Sequence, residues 1–132
     1  MPSIPQFIAI PGSGPLILVF EPIIGGSALE FSVFFEEETA PNSGIWEPME
    51  FTGMTLVSEM RASVFDADPI TPGVEAEPSA TPGYIDFLMP ASVSAANVGK
   101  TLSWGFKLVP ADPELAHIRV IGDIIVSHGG VR

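Results

Sequence analysis

Residues 99–126, GKTLSWGFKLVPADPELAHIRVIGDIIV, decide the fold, because they read as a strand, a turn and a second strand. Every second side chain in the first part is apolar, which is the period of a half-buried β-strand. These apolar residues are Leu102, Trp104, Phe106 and Leu108. The alternation predicts that Trp104 belongs to the core.

A turn and a second strand complete this hairpin. Residues 110–114 contain two prolines and an aspartate, which are typical of turns. The apolar set of the second strand is Ile118, Val120, Ile124 and Val126. Gly122 interrupts that set, and a glycine inside a strand predicts either a bulge or a close approach of another segment.

Five further stretches have strand character, namely 16–21, 29–35, 52–64, 74–77 and 84–89. Fourteen prolines and thirteen glycines indicate short elements joined by many turns. We therefore predict an all-β fold, an antiparallel immunoglobulin-like β-sandwich of about seven strands. A small barrel is the alternative.

Local details of these stretches give further expectations. Residues 16–20, LILVF, are apolar throughout, which predicts a strand that is covered on both faces. The run 36–38, EEE, is expected to begin an acidic, solvated loop. Glu59 and Arg61 are two residues apart on one strand face and are expected to pair. Ser92 is predicted to cap a short helical turn that Gly99 ends.

The first fourteen residues differ from the rest of the chain. Prolines at 2, 5, 11 and 15 exclude a helix and limit ladder pairing. We predict an extended arm at 1–14, followed by one sandwich domain at 15–132. The arm is apolar, and its predicted partner-binding residues are Ile4, Phe7, Ile8 and Ile10. Either the arm covers a sheet of its own domain or it docks on a neighbouring subunit.

The charge of the chain excludes several classes of partner. The formal net charge is −11, with five basic residues, none before Arg61. Nucleic-acid binders need Lys and Arg to neutralise phosphates, so we expect no nucleic-acid partner. No apolar window of bilayer-spanning length is free of breakers and charge, so we expect no membrane segment. The chain has no cysteine, which excludes disulfides and thiol chemistry.

Residues for catalysis or metal binding do not form a recognisable pattern. His117 and His128 lie on the closing strand and in the tail, without a nucleophile or further metal ligands in sequence reach. The carboxylates at 36–38 and the pair Asp66 and Asp68 lack the spacing of a calcium loop. We predict no catalytic residue, no cofactor and no metal site, and thus a protein that is not an enzyme.

Aromatic side chains leave carbohydrate binding open. Trp46, Tyr84 and Trp104 are of the type that stacks on sugars. Trp104 alternates with the core set, so Trp46 and Tyr84 remain as candidates. If these two side chains are exposed side by side, a sugar-binding module is favoured.

Four segments in the second half resemble the immunoglobulin-like module of tailed-bacteriophage virion proteins, such as the N-terminal domain of baseplate upper proteins. They are 52–61, 83–90, 99–108 and 120–126. In that family an early strand ends in Arg, and a Gly-x-Ile-x-Phe/Leu strand follows. A Gly-x-Tyr-x-Trp/Tyr-Asp-hydrophobic strand comes next, and a final Gly-x-hydrophobic-x-Val strand lies just before an Arg. This chain has Gly105 where the family usually has Asp, and a long loop at 66–82.

The resemblance implies a structural protein of the virion, made in the cytoplasm of the bacterial host. No fibre or coiled coil follows residue 132, which favours a stand-alone module. The most concrete expectation is a capsid decoration or cement protein, which binds the major capsid protein or other virion structural proteins and forms a homo-oligomer in the particle. The alternatives are a tail or baseplate adaptor and a carbohydrate-binding host-adhesion module.

Overall fold

The computed structural model describes the backbone of residues 6–9 and all atoms of residues 15–40, 42–62, 68–71, 73–112 and 118–128. Ten strands and one short helix lie in these residues. The strands are β1 (Gln6–Ala9), β2 (Leu16–Val19), β3 (Ile23–Ile24), β4 (Leu29–Glu38), β5 (Trp46–Pro48), β6 (Thr55–Arg61), β7 (Glu75–Pro78), β8 (Tyr84–Met89), β9 (Thr101–Val109) and β10 (Ile118–Ser127), and the helix is α1 (Ala91–Ala96).

The strands form two sheets that pack face to face, which confirms the predicted all-β, immunoglobulin-like sandwich. The first sheet has the order β1-β4-β8-β7, and β5 also pairs with β4. The second has the order β2-β10-β9-β6, and β3 also pairs with β10. With the strands lettered as in an immunoglobulin domain, β1-β4-β8-β7 is the A-B-E-D sheet and β6-β9-β10 is the C-F-G sheet. The central ladders are antiparallel, whereas β1, β2 and β3 pair in parallel.

The core lies between the sheets and is rich in aromatic rings. The eight apolar residues predicted to form the buried face of the 99–126 hairpin are buried, and Trp104 is 2% exposed. Its ring centroid lies 5.3 Å from those of both Phe31 and Phe87, in edge-to-face geometry. Phe31 and Phe87 are direct cross-strand partners and stack at 4.9 Å. These contacts join the two sheets at their centre.

The polar edge of Trp104 is also satisfied. Its Nε1–H donates to Ser58 Oγ at 2.9 Å, and the Ser58 hydroxyl donates in turn to the carbonyl oxygen of Val74 at 2.6 Å. A buried indole N–H without a partner would cost free energy, so this chain of hydrogen bonds allows the ring to be central.

At Gly122 another segment, β2 with the following Phe20, approaches β10 closely. This is one of the two outcomes expected there, the other being a bulge. The β9–β10 register runs through Gly122 without a bulge. A Cβ at this position would lie 2.9 Å from the Phe20 ring and 3.0 Å from the carbonyl oxygen of Leu18. The glycine therefore lets β2 and the Phe20 ring pack closely on β10.

The structure corrects several expected boundaries. Residues 36–38 continue β4 and pair with β5 through Glu36↔Pro48, so their prediction as a loop was wrong. The strand expected at 52–64 is β6, Thr55–Arg61, and residues 63 and 64 lie outside the described part.

Helix α1 begins after Pro90 without a side-chain cap, so the prediction that Ser92 caps it was wrong. The helix ends at Ala96 with Asn97 as its C-cap, and Gly99, at φ +82°, lies two residues beyond that cap.

Part of the N-terminal arm lies on the protein's own sheet. β1 pairs in parallel with β4 from Gln6↔Ser32 to Ala9↔Phe35. Phe7 and Ile8 belong to this strand. Ile4 and Ile10 lie outside the described residues. Docking of the arm on a neighbouring subunit stays a prediction.

Candidate interaction surface

The residues considered for catalysis and metal binding are not brought together. His128 is exposed and lies beside Gly99, 3.2 Å from where a Cβ would stand. His117 and Asp66 are outside the described residues, and Asp68 is exposed. Within the described residues, no group of three His, Cys, Asp or Glu side chains is placed to hold a metal ion.

The sequence predicted no membrane-spanning segment, and the lengths of the helices can be compared with that prediction. In the part of the chain that the structure describes, no helix has the length and apolar character needed to cross a bilayer.

Trp46 and Tyr84 do not form a shared sugar-stacking platform. Trp46 is 40% exposed and pairs with Glu38, whereas Tyr84 is half-buried and pairs with Phe34. Four positions along β4 separate these partners, which is about 13 Å at the rise of a strand. The ring of Tyr84 packs on Phe34 instead, at 4.8 Å.

The outer face of the second sheet carries the largest concentration of exposed apolar side chains among the described residues. Eight large apolar residues of the described part are exposed, and four of them lie on this one face. They are Ile17 (66% exposed), Val19 (88%), Ile121 (41%) and Ile125 (41%). We call this surface the apolar face. A contiguous exposed apolar surface on a soluble domain indicates an interaction site.

Strand register places these side chains in rows around a depression. Ile121 pairs with Ile17 on one side and with Gly105 on the other, and Gly105 pairs with Glu59. Gly105 has no side chain, and a Cβ there would meet no atom within 4 Å. The result is an open depression of about 840 Å³, with Gly105 on its floor.

The apolar face also holds most of the basic residues of the chain. Three of the five are on it, namely Arg61, Lys107 and Arg119. Arg61 forms an ion pair with Glu59 (Nη1 to Oε2, 2.8 Å), as predicted. With Asp123 as the second carboxylate, the face has a formal charge of +1 in a chain of −11. This concentration makes the face electrostatically distinct from the rest of the protein.

Sequence reasoning placed the predicted interface in the arm and missed this face. One sequence feature did indicate this face: the unbroken apolar run at 16–20, which predicts a strand covered on both faces. Leu18 is buried in the core, but nothing among the described residues covers Ile17 and Val19. Ile121 and Ile125 occupy outward positions of β10, where the alternation called for polar residues.

Comparisons with known proteins give a distant likeness of fold. No protein-family model matches the chain, and no curated protein matches its sequence. Among solved structures, the M1 domain from titin is similar with a TM-score of 0.42 and 10% sequence identity. The match covers 97% of this chain and 94% of that domain. A likeness at this level carries no argument about function.

Proposed function

We propose that this chain is a non-enzymatic structural protein of a tailed-bacteriophage particle, most concretely a capsid decoration or cement protein. It binds neighbouring virion subunits and works in many copies. The four strand segments that resemble the phage immunoglobulin-like module suggest the setting, and the apolar face suggests the mode of action.

The apolar face is the observation that carries this proposal. Exposed Ile17, Val19, Ile121 and Ile125 on one sheet would be a liability for a protein that stays alone in solution. In a particle, the same side chains lose contact with water when a neighbouring subunit covers them. Burial of apolar surface then drives association, at roughly 25 cal/mol per Å² removed from water before the costs of association are subtracted.

Multiple weak contacts suffice for such a role. Each subunit of a symmetric shell meets its neighbours simultaneously, so modest contacts add up through avidity. The acidic remainder of the chain keeps the outside of such a particle soluble. Neither property requires a catalytic group or a cofactor.

Two other roles are weighed against this one. A tail or baseplate adaptor uses the same docking surface in a different part of the particle, and the location of the protein distinguishes it. A carbohydrate-binding module loses its main argument, because Trp46 and Tyr84 are not exposed side by side.

Particle binding tests the proposal. Particles are assembled without the protein, mixed with the purified chain, and pelleted through a density cushion. We expect saturable co-sedimentation at a fixed number of copies per particle. A chain that stays in the supernatant at every concentration contradicts the proposed role.

Deletion of residues 1–14 tests the arm in the same assay. The central strands β4 and β8 remain paired without β1, so we expect a cooperative thermal transition and unchanged far-ultraviolet circular dichroism. If the arm residues Ile4, Phe7, Ile8 and Ile10 supply a second contact beside the apolar face, stable binding needs both contacts and the truncated protein should no longer co-sediment. Retained co-sedimentation would show that the arm is not the contact with the particle.

A further inference from the structure

The outer faces of the two sheets differ in charge. On the first sheet, Glu30, Glu75, Glu77 and Asp86 point outward from neighbouring strands. Strands β4, β5, β7 and β8 contain no Lys or Arg. We call this surface the acidic face. It lies opposite the apolar face, across the thickness of the sandwich.

Each face contains a pair of like charges on adjacent strands. Lys107 and Arg119 are direct cross-strand partners on the apolar face. Neither forms an ion pair with a described residue. On the acidic face, Glu77 and Asp86 are direct cross-strand partners. Like charges placed opposite each other destabilise a sheet, so both pairs are unfavourable in the isolated chain.

The two pairs are complementary to each other. A basic pair and an acidic pair, each on adjacent strands of a flat sheet face, have the same separation of about 5 Å between strands. Bringing them together adds attractive contacts between opposite charges, which offset the repulsion within each pair. It also covers the part of the apolar face around Ile121, which pairs with Gly105 beside the basic pair.

The neighbouring positions are compatible with this contact. Tyr84 precedes Asp86 by two residues on β8, as Gly105 precedes Lys107 on β9. When β8 of one copy is laid along β9 of another in the same direction, Asp86 reaches Lys107 and the Tyr84 ring lies over Gly105. The depression above Gly105 gives that ring room.

We propose that the apolar face binds the acidic face of a second copy of this chain. The contact is head to tail, so every copy keeps one free face of each kind and association continues into a ring or an open row. This inference rests on the proposed function in one respect, since it names the neighbouring subunit that covers the apolar face in the particle.

Paired charge reversals test the contact in purified protein. One variant is Lys107→Glu with Arg119→Glu, and the other is Glu75→Lys with Glu77→Lys. In sedimentation velocity at low ionic strength, we expect the unmodified chain to form a concentration-dependent series of oligomers that high salt disperses. Each variant alone should associate at least about tenfold more weakly, because its two faces now repel.

Mixing the two variants gives the decisive readout. Every contact between a copy of one variant and a copy of the other joins opposite charges, so we expect association to return. A matched control, Glu47→Lys with Glu50→Lys, has the same net charge as the Glu75/Glu77 variant but alters exposed residues outside the cluster of Glu30, Glu75, Glu77 and Asp86, and should associate like the unmodified chain.

Other outcomes overturn the inference. If the Glu75/Glu77 variant associates like the unmodified chain, copies pair apolar face to apolar face or through another surface. If the unmodified chain is monomeric throughout, a different virion protein covers the face. Binding to particles without self-association refutes this contact and leaves the proposed function standing. Self-association without binding to particles supports this contact and refutes the proposed function.

Discussion

Replacing Trp104 with alanine should lower the free energy of unfolding by about 3–5 kcal/mol, the range found for large aromatic residues in well-packed cores. The indole ring touches both sheets, through Phe31 and Phe87 at 5.3 Å each and Phe20 at 6.2 Å. Strands cannot move inward to fill the space, because each is fixed in its ladder, so a cavity remains.

A second contribution comes from the hydrogen bond that is lost. Ser58 Oγ accepts from Trp104 Nε1 and donates to the carbonyl oxygen of Val74. Without the indole, the Ser58 hydroxyl still donates to the Val74 carbonyl oxygen, but it no longer accepts a hydrogen bond from an indole N–H. Trp104→Phe separates the two contributions, because it retains most of the ring and removes the N–H group.

Chemical denaturation followed by far-ultraviolet circular dichroism measures the effect. Trp46→Ala is the matched control, since that ring is 40% exposed on the short strand β5. We expect it to change the free energy of unfolding by less than about 1 kcal/mol. A loss below about 1 kcal/mol for Trp104→Ala would contradict the central position of the ring.

Replacing Gly122 with valine should cost about 2–3 kcal/mol through overpacking. Its Cβ would stand 3.0 Å from the carbonyl oxygen of Leu18 and 2.9 Å from the Phe20 ring. The carbonyl oxygen belongs to the backbone of β2, the parallel neighbour of β10, so the strand itself must shift. Because β2 carries Ile17 and Val19, we also expect the apolar face to be disturbed.

Gly105→Val is the matched control for this substitution. Gly105 lies on the adjacent strand and pairs with Ile121, but it faces the open depression. Valine suits an exposed strand position better than glycine, so the free energy of unfolding should stay within about 0.5 kcal/mol or rise. Thermal or urea unfolding of the two variants compares them directly. Equal losses at both positions would contradict the close approach at Gly122.

The alternation of apolar residues was enough to predict the fold. It identified the buried face of the 99–126 hairpin, including Trp104, and left a bulge or a close approach as the two outcomes at Gly122. It did not predict that the acidic run at 36–38 continues β4. Pairing with β5 stabilises that extension, and such pairing is a tertiary effect that local propensity does not contain.

The apolar face was harder to find from sequence for a physical reason. Lys107 and Arg119 are twelve positions apart in the chain, and Ile17 is about a hundred positions from Ile121. Only the register of β2, β10 and β9 makes them neighbours. The arm, in contrast, is contiguous in sequence, so its apolar residues were visible as a group.

Mass spectrometry of purified particles tests the central claim most directly. Particles are isolated from the cells that carry the gene, and the amount of this chain is measured relative to the main shell protein. The proposed function predicts that the chain is present in a fixed, repeating ratio to the shell or tail subunits and that it is lost when the apolar face is charged by Ile121→Asp. Absence of the chain from the particles would contradict the account.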